Sequence, residues 1–327
     1  FLTSEAVDDL ATPADYVAAV RDGYREVGEG APAEPRTLLP SGDPPGMLTT
    51  YVAMLPEVGA MGGYTYAAGF AERDAWFLTP LFDAETGEPL AVIDGASMNP
   101  FKTGAAGAVA VDALARPDAS TVAVIGSGPQ ARGQLRTTAT VRDLTGVRVF
   151  SPTPANRESF ADEFAERLDA DVTAVSSADA ALADADVVIT ATTASEPVIA
   201  DADVEPGTHV TAMGQYAADK HELPPELVAR ATYVPDLTAR ATRDAGSFIA
   251  AREAGLVSDD DLEVELGDVV AGSHPGRTSD DEVTVFDSGG TGIETVAAAH
   301  MLYERAREAG RGTPLSIAPA SEALTGR

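Results

Sequence analysis

One stretch of the sequence has the residue types and spacing of a dinucleotide phosphate site. It reads Gly126-Ser127-Gly128-Pro129-Gln130-Ala131 and directly follows the short apolar run Thr121–Ile125. The first glycine permits a tight turn, the second lets the backbone approach a pyrophosphate, and the alanine lets helix and strand pack closely. A helix that begins there offers unpaired N–H groups and the positive end of its dipole to phosphates. The pattern in this context predicts a nicotinamide dinucleotide site.

The residues after the next predicted strand bear on the choice between NADP and NAD. An acidic residue at the end of that strand normally binds the ribose 2′-hydroxyl of NAD. Here the strand Val147–Phe150 continues into Ser151-Pro152-Thr153-Pro154-Ala155-Asn156-Arg157, with no acid. Ser151, Thr153 and Arg157 are suited to a 2′-phosphate, so the sequence favours NADP. NAD, bound without an acidic partner, remains the alternative.

Three further segments follow strand-like runs, where sheets of this kind bind their ligands. Thr192 comes after Val187–Ala191 and is expected along the path of the cofactor's ribose. Met213 and Gly214 end the run that begins at His209 and are expected to face the nicotinamide. Ser288-Gly289-Gly290 permits a close backbone approach, so Ser288 and Gly290 are expected at the carboxamide.

The loop lies within an alternation of apolar strands and helices that is typical of a parallel, doubly wound sheet. The predicted strands are Thr121–Ile125, Val147–Phe150, Val172–Val175, Val187–Ala191, His209–Met213, Tyr233–Pro235 and Val283–Phe286. The predicted helices are Gln130–Val141, Asn156–Leu168 and Ala178–Ala183, preceded by an Ala-rich helix over Gly104–Arg116. The sequence therefore predicts an α/β fold with a Rossmann domain.

The first part of the chain predicts a second, α+β domain with antiparallel pairing. A helix over Asp8–Glu26 is followed by a Pro- and Gly-rich connection, Pro32–Gly46. Strand-like runs follow at Leu48–Met54, Gly63–Tyr66, Trp76–Phe82 and Leu90–Asp94, the last two joined by a hairpin connection over 83–89. A closing helix, Ile293–Ala309, is expected to pack on this part. We therefore expect a substrate and dimerisation domain of residues 1–104 plus 292–327 and a Rossmann domain of residues 105–291.

The charge balance excludes several classes of partner. Asp and Glu total 52 and Lys and Arg total 22, which gives a formal net charge of −30. Such a surface repels nucleic acids and anionic membranes. The acids are spread along the chain, and Lys102 and Lys220 are the only lysines. This composition favours adaptation to molar salt, where screening confines charge repulsion to about 3 Å.

Cysteine and histidine usage narrows the chemistry further. The chain has no cysteine, which excludes disulfides and thiolate chemistry and suits a cytoplasmic protein. Its four histidines are far apart, with no ligand spacing, so no metal is expected. No apolar run approaches the roughly 20 residues that a membrane span needs.

Several segments together resemble the ornithine cyclodeaminase/mu-crystallin family over nearly the whole chain. The most specific combination is the Gly126–Ala131 loop preceded by Lys102-Thr103-Gly104-Ala105-Ala106. The other matching segments are Phe1-Leu2-Thr3, Pro35-Arg36-Thr37, Leu90–Gly95, Glu222-Leu223-Pro224, Val269–Gly272 and Val285–Gly292. The acidic composition makes the chain resemble a haloarchaeal member.

The resemblance implies a homodimer with a Rossmann domain, a separate substrate domain and a bound nicotinamide cofactor. It also implies a small amino or imino acid substrate, since family activities include ornithine cyclodeamination, alanine dehydrogenation and reduction of cyclic ketimines. Their common step is hydride transfer at a carbon that is bonded to nitrogen and lies next to a carboxylate.

The departures from the family pattern concern the substrate site. The family holds the carboxylate with two arginines and a lysine. Arg36 matches the first arginine, Lys102 replaces the second, and the lysine position falls at Gly62 or Gly63. Lysine keeps the charge but lacks a planar two-point grip. The acid of cyclodeaminating members falls at Tyr216, a neutral donor that cannot pair with an ammonium as a carboxylate does.

These residues predict an NAD(P)H-dependent oxidoreductase that acts on C–N bonds of α-imino or amino acids, of the ketimine reductase or amino acid dehydrogenase type. Arg36 and Lys102 are expected to hold the carboxylate, and Lys102, Tyr216 or a water to supply the proton. Thr103 either contacts a cofactor phosphate or caps its helix. Two alternatives remain: an ornithine cyclodeaminase, which recycles its cofactor, and a non-catalytic NADP-loaded binding protein like mu-crystallin.

Overall fold

The computed structural model describes residues 1–70 and 74–325, which form two sheets flanked by helices. The helices are α1 Ser4–Val7, α2 Pro13–Gly28, α3 Asn99–Leu114, α4 Pro129–Thr138, α5 Pro154–Ala165, α6 Ala178–Leu182, α7 Pro225–Arg230, α8 Thr238–Asp244, α9 Gly246–Glu253, α10 Leu266–Ala271, α11 Gly292–Glu308 and α12 Ala320–Thr325. The strands are β1 Ala33–Gly42, β2 Pro45–Leu55, β3 Ala60–Phe70, β4 Asp74–Asp83, β5 Pro89–Asp94, β6 Thr121–Ile125, β7 Gly146–Phe150, β8 Asp171–Ala174, β9 Val187–Thr190, β10 His209–Ala212, β11 Thr232–Pro235 and β12 Thr284–Asp287.

Strands β1 to β5 pair antiparallel in chain order. The predicted hairpin between β4 and β5 is present, and Asp83 accepts hydrogen bonds from the backbone N–H groups of Glu85 and Thr86 in its turn. The predicted connection over Pro32–Gly46 is wrong, because β1 and the start of β2 occupy it. Its prolines suggested a loop, but β1 is an edge strand, where a residue without an N–H is tolerated.

The second sheet is wholly parallel, with strand order β11-β12-β10-β9-β6-β7-β8. The chain runs outward from β6 through β7 and β8, then returns to β9 on the other side of β6. Ligands bind where the strand order reverses in this way, at the carboxyl ends of β6 and β9. The predicted doubly wound sheet is therefore confirmed, and the Gly126–Ala131 loop lies at its binding crevice.

Helix α3 connects the two sheets and packs directly on α4. It begins at Asn99, earlier than the predicted Gly104, with Pro100 in its first turn, where a missing N–H costs nothing. A Cβ at Gly104 would lie 2.6 Å from the backbone of Gly133 on α4, so the helices touch through glycine. This contact fixes the start of α3 beside the phosphate loop.

The closing helix α11 packs against α2 and the inner face of the antiparallel sheet, as the sequence predicts. Buried residues from α2, α3 and α11 share one core, including Tyr24, Val109 and Val296. Among the described residues, no helix is both long and apolar enough to cross a membrane. The proposed division into domains at residues 104 and 292 stays a prediction.

Candidate active site

A cavity of about 300 Å³, here called the inner cavity, opens between the two sheets. Its polar lining includes the side chains of Arg36, Lys102, Asn99, Thr103, Gln130, Thr192, Thr193 and Tyr216. The antiparallel sheet adds aromatic rings, and Met213, Gly214, Gly289 and Gly290 line the side of the parallel sheet. The structure therefore brings the predicted substrate residues and part of the predicted cofactor set to one place.

Arg36 reaches the inner cavity through a bulge in β1. The register of β1 with β2 shifts between Glu34 and Thr37, so Pro35 and Arg36 together face Tyr51. Bulges re-aim side chains and are common beside active sites. Pro35 has no N–H for the strand ladder, which suits a bulge position.

The guanidinium of Arg36 is 5% exposed but only partly hydrogen-bonded. Nη2 donates to the carbonyl of Gly289, and Cζ lies 4.3 Å from the ring centre of Tyr216. Nε and Nη1 are buried and have no partner within the described structure. Because unsatisfied donors on a buried cation are costly, this arrangement indicates a place for an anionic ligand.

Lys102 lies in the first turn of α3 and is 1% exposed. Its Nζ is 3.4 Å from Glu294 Oε1 and 4.8 Å from the ring centre of Tyr64. Burial lowers the pKa of Lys102, although the attraction of Glu294 opposes this shift. The positive end of the α3 dipole also disfavours the charge. This ammonium therefore releases its proton more readily than that of an exposed lysine.

Glu294 is held in place by the capping box at the start of α11. It accepts hydrogen bonds from Thr291 N at 2.6 Å and Thr291 Oγ1 at 2.5 Å. Within the described structure, its other hydrogen bond is the one from Lys102 Nζ. Glu294 does not line the cavity, so it orients the ammonium from the protein interior. The Thr-x-x-Glu pattern predicts the start of a helix from the sequence. It does not predict that Glu294 contacts Lys102 on α3.

Tyr64, and not Gly62 or Gly63, is the β3 residue that lines the inner cavity next to Lys102. Gly62 and Gly63 line a depression on the outer face of the sheet. A Cβ at Gly62 would lie 2.3 Å from the carbonyl oxygen of Pro80, so this position has no room for a side chain. The two glycines at which the resemblance places the family's lysine therefore contribute no side chain to the inner cavity.

The phosphate loop fits a dinucleotide. Gly126 has a φ of +121°, and a Cβ there would lie 2.4 Å from the carbonyl oxygen of Ala191. Gly128 faces open space, with nothing within 4 Å of a Cβ built on it, and α4 has no side-chain cap. The unpaired N–H groups of α4 and its dipole therefore face room for a pyrophosphate. Gln130 Oε1 is buried there without a partner, and the fully buried Ala131 packs α4 on the sheet.

The predicted 2′-phosphate residues lie at the end of β7, beside the loop. Ser127 Oγ donates to Ser151 Oγ at 2.9 Å, and Arg157 Nη1 donates to the carbonyl of Ser151 at 2.8 Å. Arg157 also lies over the ring of Phe150, with Cζ 5.9 Å from its centre. Thr153 is the N-cap residue of α5, although its side chain makes no capping bond. These side chains surround the strand end without an acid among them.

Glu222 organises the wall formed by Thr192 and Gly214. It accepts hydrogen bonds from Thr192 N at 2.7 Å, Gly214 N at 2.8 Å and Thr190 Oγ1 at 3.0 Å. Burial raises the pKa of this carboxyl, with its hydrogen bonds acting against the shift. Glu222 thus ties the ends of β9 and β10 together where the cofactor is expected.

One predicted cofactor residue, Ser288, points away from the inner cavity, whereas Thr103 lines the cavity and also ties two helices together through its backbone. Ser288 Oγ donates to Asp236 Oδ2 at 2.7 Å, so this side chain holds the Gly289–Gly290 turn instead of lining the cavity. The carbonyl of Thr103 accepts a hydrogen bond from Gln134 Nε2 at 3.0 Å, which ties α3 to α4. Thr103 makes no capping bond at the start of α3, whose N-cap is Met98.

Several side chains of the site were missed from the sequence. Glu294, Tyr51 and Tyr64 surround Lys102, and Arg240 forms buried ion pairs with Asp236 at 2.5 Å and with Asp287 at 2.6 Å. These ion pairs hold the strand end that carries the Gly289–Gly290 turn under Arg36. The described residues contain no group of three or more potential ligands suited to a metal ion.

The reversal of strand order and the open, glycine-rich helix start beside it place the chain among the α/β proteins that bind nicotinamide dinucleotides. The chain belongs to the ornithine cyclodeaminase/mu-crystallin family, whose sequence profile matches residues 1–310. A putative dehydrogenase of Rhizobium meliloti is 36% identical over 91% of this chain and 93% of its own length.

Two solved structures are similar to the whole chain. The Δ1-pyrroline-2-carboxylate reductase of Thermococcus litoralis, in complex with NADH and L-proline, has a TM-score of 0.90 and 30% identity, covering 96% of this chain and 99% of its own. An archaeal alanine dehydrogenase dimer with bound NAD has a TM-score of 0.89 and 31% identity, covering 96% and 98%. The comparisons confirm the predicted family and fold.

Proposed function

We propose that this protein is an NAD(P)H-dependent reductase of α-imino acids or cyclic ketimine carboxylates, which also catalyses the reverse amino acid dehydrogenation. The observation that carries the proposal is the buried guanidinium of Arg36. Two of its donors lack partners, and it lies with Lys102 in the cavity that the phosphate loop borders. Its relatives include a reductase that binds NADH and L-proline and an alanine dehydrogenase that binds NAD.

In the proposed reaction, Arg36 and Lys102 bind the substrate and the cofactor supplies the hydride. When bound, the reduced nicotinamide supplies a hydride to the electrophilic carbon. Arg36 and Lys102 hold the substrate carboxylate, which positions the neighbouring α-carbon in the cavity. The C=N bond becomes a single bond as its π electrons move to nitrogen, and that nitrogen takes up one proton.

Lys102 is the group best suited to supply that proton, directly or through a water. Burial lowers its pKa, and Glu294 behind it stabilises the ammonium between turnovers. The Tyr216 ring covers the guanidinium of Arg36, which favours a role in closing the site. We assign Tyr216 to substrate enclosure, with proton donation as its alternative role.

We propose that the cofactor is NADP, with NAD accepted less well. Ser151, Thr153 and Arg157 surround the end of β7, where an acid would select NAD. The bound NADH and NAD of the two solved relatives favour NAD instead. A comparison of NADPH with NADH therefore belongs in the first experiment.

Cyclodeamination of ornithine is the second candidate. The similarity includes a lysine cyclodeaminase, with 30% identity and a TM-score of 0.81. Within the described part of the chain, no Asp or Glu lines the inner cavity, and Tyr216 stands where the resemblance expects an acid. The lack of a carboxylate in this described lining therefore favours an imine over a substrate with a free distal ammonium.

A non-catalytic binding protein like mu-crystallin is the third candidate. Such a protein would bind NADPH without turnover.

The assembly we propose is a cytoplasmic homodimer adapted to molar salt. The outer face of the antiparallel sheet exposes apolar side chains, including Val52, Leu78 and Trp76, which is 78% exposed. Such a patch is typical of a contact surface, and the archaeal alanine dehydrogenase forms a dimer. The cytoplasm supplies reduced nicotinamide, and the net charge of −30 suits high salt.

The test is oxidation of NADPH or NADH in molar KCl with pyruvate plus ammonia, pyruvate plus methylamine, or a cyclic ketimine carboxylate. We expect loss of nicotinamide absorbance with at least one imine and none with the keto acid alone. Tight cofactor binding without oxidation of any mixture would overturn the proposal. Ornithine would then separate a cyclodeaminase, which releases ammonia, from a binding protein.

A further inference from the structure

A second cavity, here called the outer cavity, adjoins the inner one and has a volume of about 580 Å³. Arg36, Thr193, Gly214 and Tyr216 line both cavities, so they form the wall between them. A ligand held at Arg36 can therefore extend from the inner cavity past Tyr216 into the outer one.

Two further cations, Lys220 and Arg243, line the outer cavity. Arg243 Nη2 donates to the backbone carbonyl of Arg36 at 2.8 Å, which fixes Arg243 beside the substrate residue. The backbone of Lys220 packs closely on Gly246. A Cβ built at Gly246 would lie 1.9 Å from the carbonyl oxygen of Lys220. The side chain of Arg243 is thus held by a hydrogen bond, and that of Lys220 extends from a closely packed backbone.

Neither cation is neutralised by a neighbouring acid. No carboxylate of the described residues forms an ion pair with Lys220 or Arg243. Asp244 is the acid of this lining, and it already pairs with the buried Arg240 at 3.1 Å. The outer cavity thus presents a net positive wall.

This local charge is unlike the rest of the molecule. The formal net charge is −30, and the sequence contains two lysines, one in each cavity. An acidic surface repels a dianionic ligand, and a cationic wall at the mouth offsets that repulsion locally. Paired contacts at hydrogen-bond distance also persist in molar salt, where longer-range attraction is screened.

We propose that the substrate carries a second carboxylate, which Lys220 and Arg243 bind in the outer cavity while Arg36 and Lys102 bind the first. This inference rests on the proposed function and names its substrate class as an imino dicarboxylate. The hydride and proton balance is unchanged: the C=N carbon gains a hydride from NAD(P)H and the nitrogen gains a proton. The second carboxylate takes no part in bond changes.

The experiment compares kcat/KM for imines formed in place from ammonia and oxaloacetate, 2-oxoglutarate or pyruvate. Pyruvate plus glycine places the second carboxylate on the nitrogen side. We expect at least one dicarboxylate to exceed pyruvate plus ammonia by about tenfold to a hundredfold, the effect of one or two charged hydrogen bonds.

The Lys220→Gln and Arg243→Gln variants should each remove most of that preference, measured as the ratio of kcat/KM for the dicarboxylate imine to kcat/KM for pyruvate plus ammonia. Arg252→Gln, a cation on the protein surface away from both cavities, is the matched control and should keep the preference. Calorimetric titration of L-aspartate and L-alanine into the enzyme with oxidised cofactor gives a second readout. The variants should weaken binding of aspartate selectively.

Equal kcat/KM values for monocarboxylate and dicarboxylate imines would overturn this inference and leave the proposed reductase standing. So would a dicarboxylate preference that survives in both variants. Failure of every imine, with the cofactor bound, would instead refute the proposed function itself.

Discussion

The two walls of the inner cavity are built in different ways. The cofactor wall is made mostly of backbone: a glycine turn, the open start of α4 and the ends of β9 and β10 held by Glu222. The substrate wall contains two buried charged side chains: Arg36, two of whose nitrogen atoms have no partner, and Lys102, which pairs with Glu294. In the proposed reductase, the first wall binds the part that all nicotinamide dinucleotides share, whereas the second sets the chemistry and the choice of substrate.

Because the two walls have different proposed roles, variants in each wall should have different effects on turnover and on cofactor affinity. A change in the substrate wall should alter turnover and leave the cofactor's dissociation constant nearly unchanged. A change in the phosphate loop should do the reverse. The following predictions are ordered by the expected size of the effect.

The largest effect is expected from Arg36→Ala. Truncating a buried group that pairs with a charged ligand costs about 2–5 kcal/mol, which predicts a fall in kcat/KM of about thirtyfold to several thousandfold. NADPH binding, followed by fluorescence titration, should stay within about threefold of the unchanged protein. Arg36→Lys should recover only part of the loss, because lysine lacks the two-point grip. Unchanged turnover in the Arg36→Ala variant would contradict the proposal that Arg36 binds the substrate carboxylate.

Gly128→Ala should weaken cofactor binding by about tenfold or more, because the loop backbone can no longer approach the pyrophosphate. No protein atom lies within 4 Å of the added Cβ, so the melting temperature without cofactor should not change. Gly42→Ala is the matched control, since its Cβ also meets nothing within 4 Å. If both variants bind NADPH normally, the pyrophosphate does not lie at Gly128.

Lys102 should set the alkaline limb of the pH profile. Burial lowers its pKa, so the ammonium loses its proton as the pH rises through a value below the usual lysine range. With a preformed cyclic ketimine, kcat/KM should therefore fall in that window and be restored on acidification. Lys102→Arg keeps its charge, which moves the limb to higher pH, and Lys102→Met should abolish the limb at a lower rate. An unshifted limb in Lys102→Arg would assign the limb to another group.

Arg157→Gln should produce the smallest effect, a loss of about threefold to tenfold in NADPH affinity with little change for NADH. The difference arises because the 2′-phosphate carries charge that the ribose hydroxyl lacks. Arg167→Gln on the same helical region serves as the control for charge alone. Equal losses for both nucleotides would contradict the preference for NADP.

The sequence predicted the cofactor wall well because its residues are contiguous and follow a strand. The Gly126–Ala131 loop, the parallel strands and the closing helix could all be inferred from local patterns. The edge strand β1 could not, since its prolines also suit a connection.

The substrate wall depends on contacts that no local pattern contains. Lys102 and Glu294 are 192 positions apart, and only the packing of α3 beside α11 brings them together. No local pattern in the sequence indicated that Lys220 and Arg243 would line the same cavity. The resemblance pointed to Arg36 and Lys102, which line the inner cavity, and to Gly62 or Gly63 in β3, which do not.

The central claim is that this cavity transfers a hydride to the α-carbon of an imino acid. Its most direct test uses reduced cofactor that carries deuterium at nicotinamide C4, on each face in turn, with a cyclic ketimine carboxylate or an α-keto acid plus ammonia. We predict deuterium at the α-carbon of the amino acid product from one face only, with one cofactor oxidised for each product. An absence of labelled product, with ornithine converted and no net oxidation of the cofactor, would contradict the claim and indicate a cyclodeaminase.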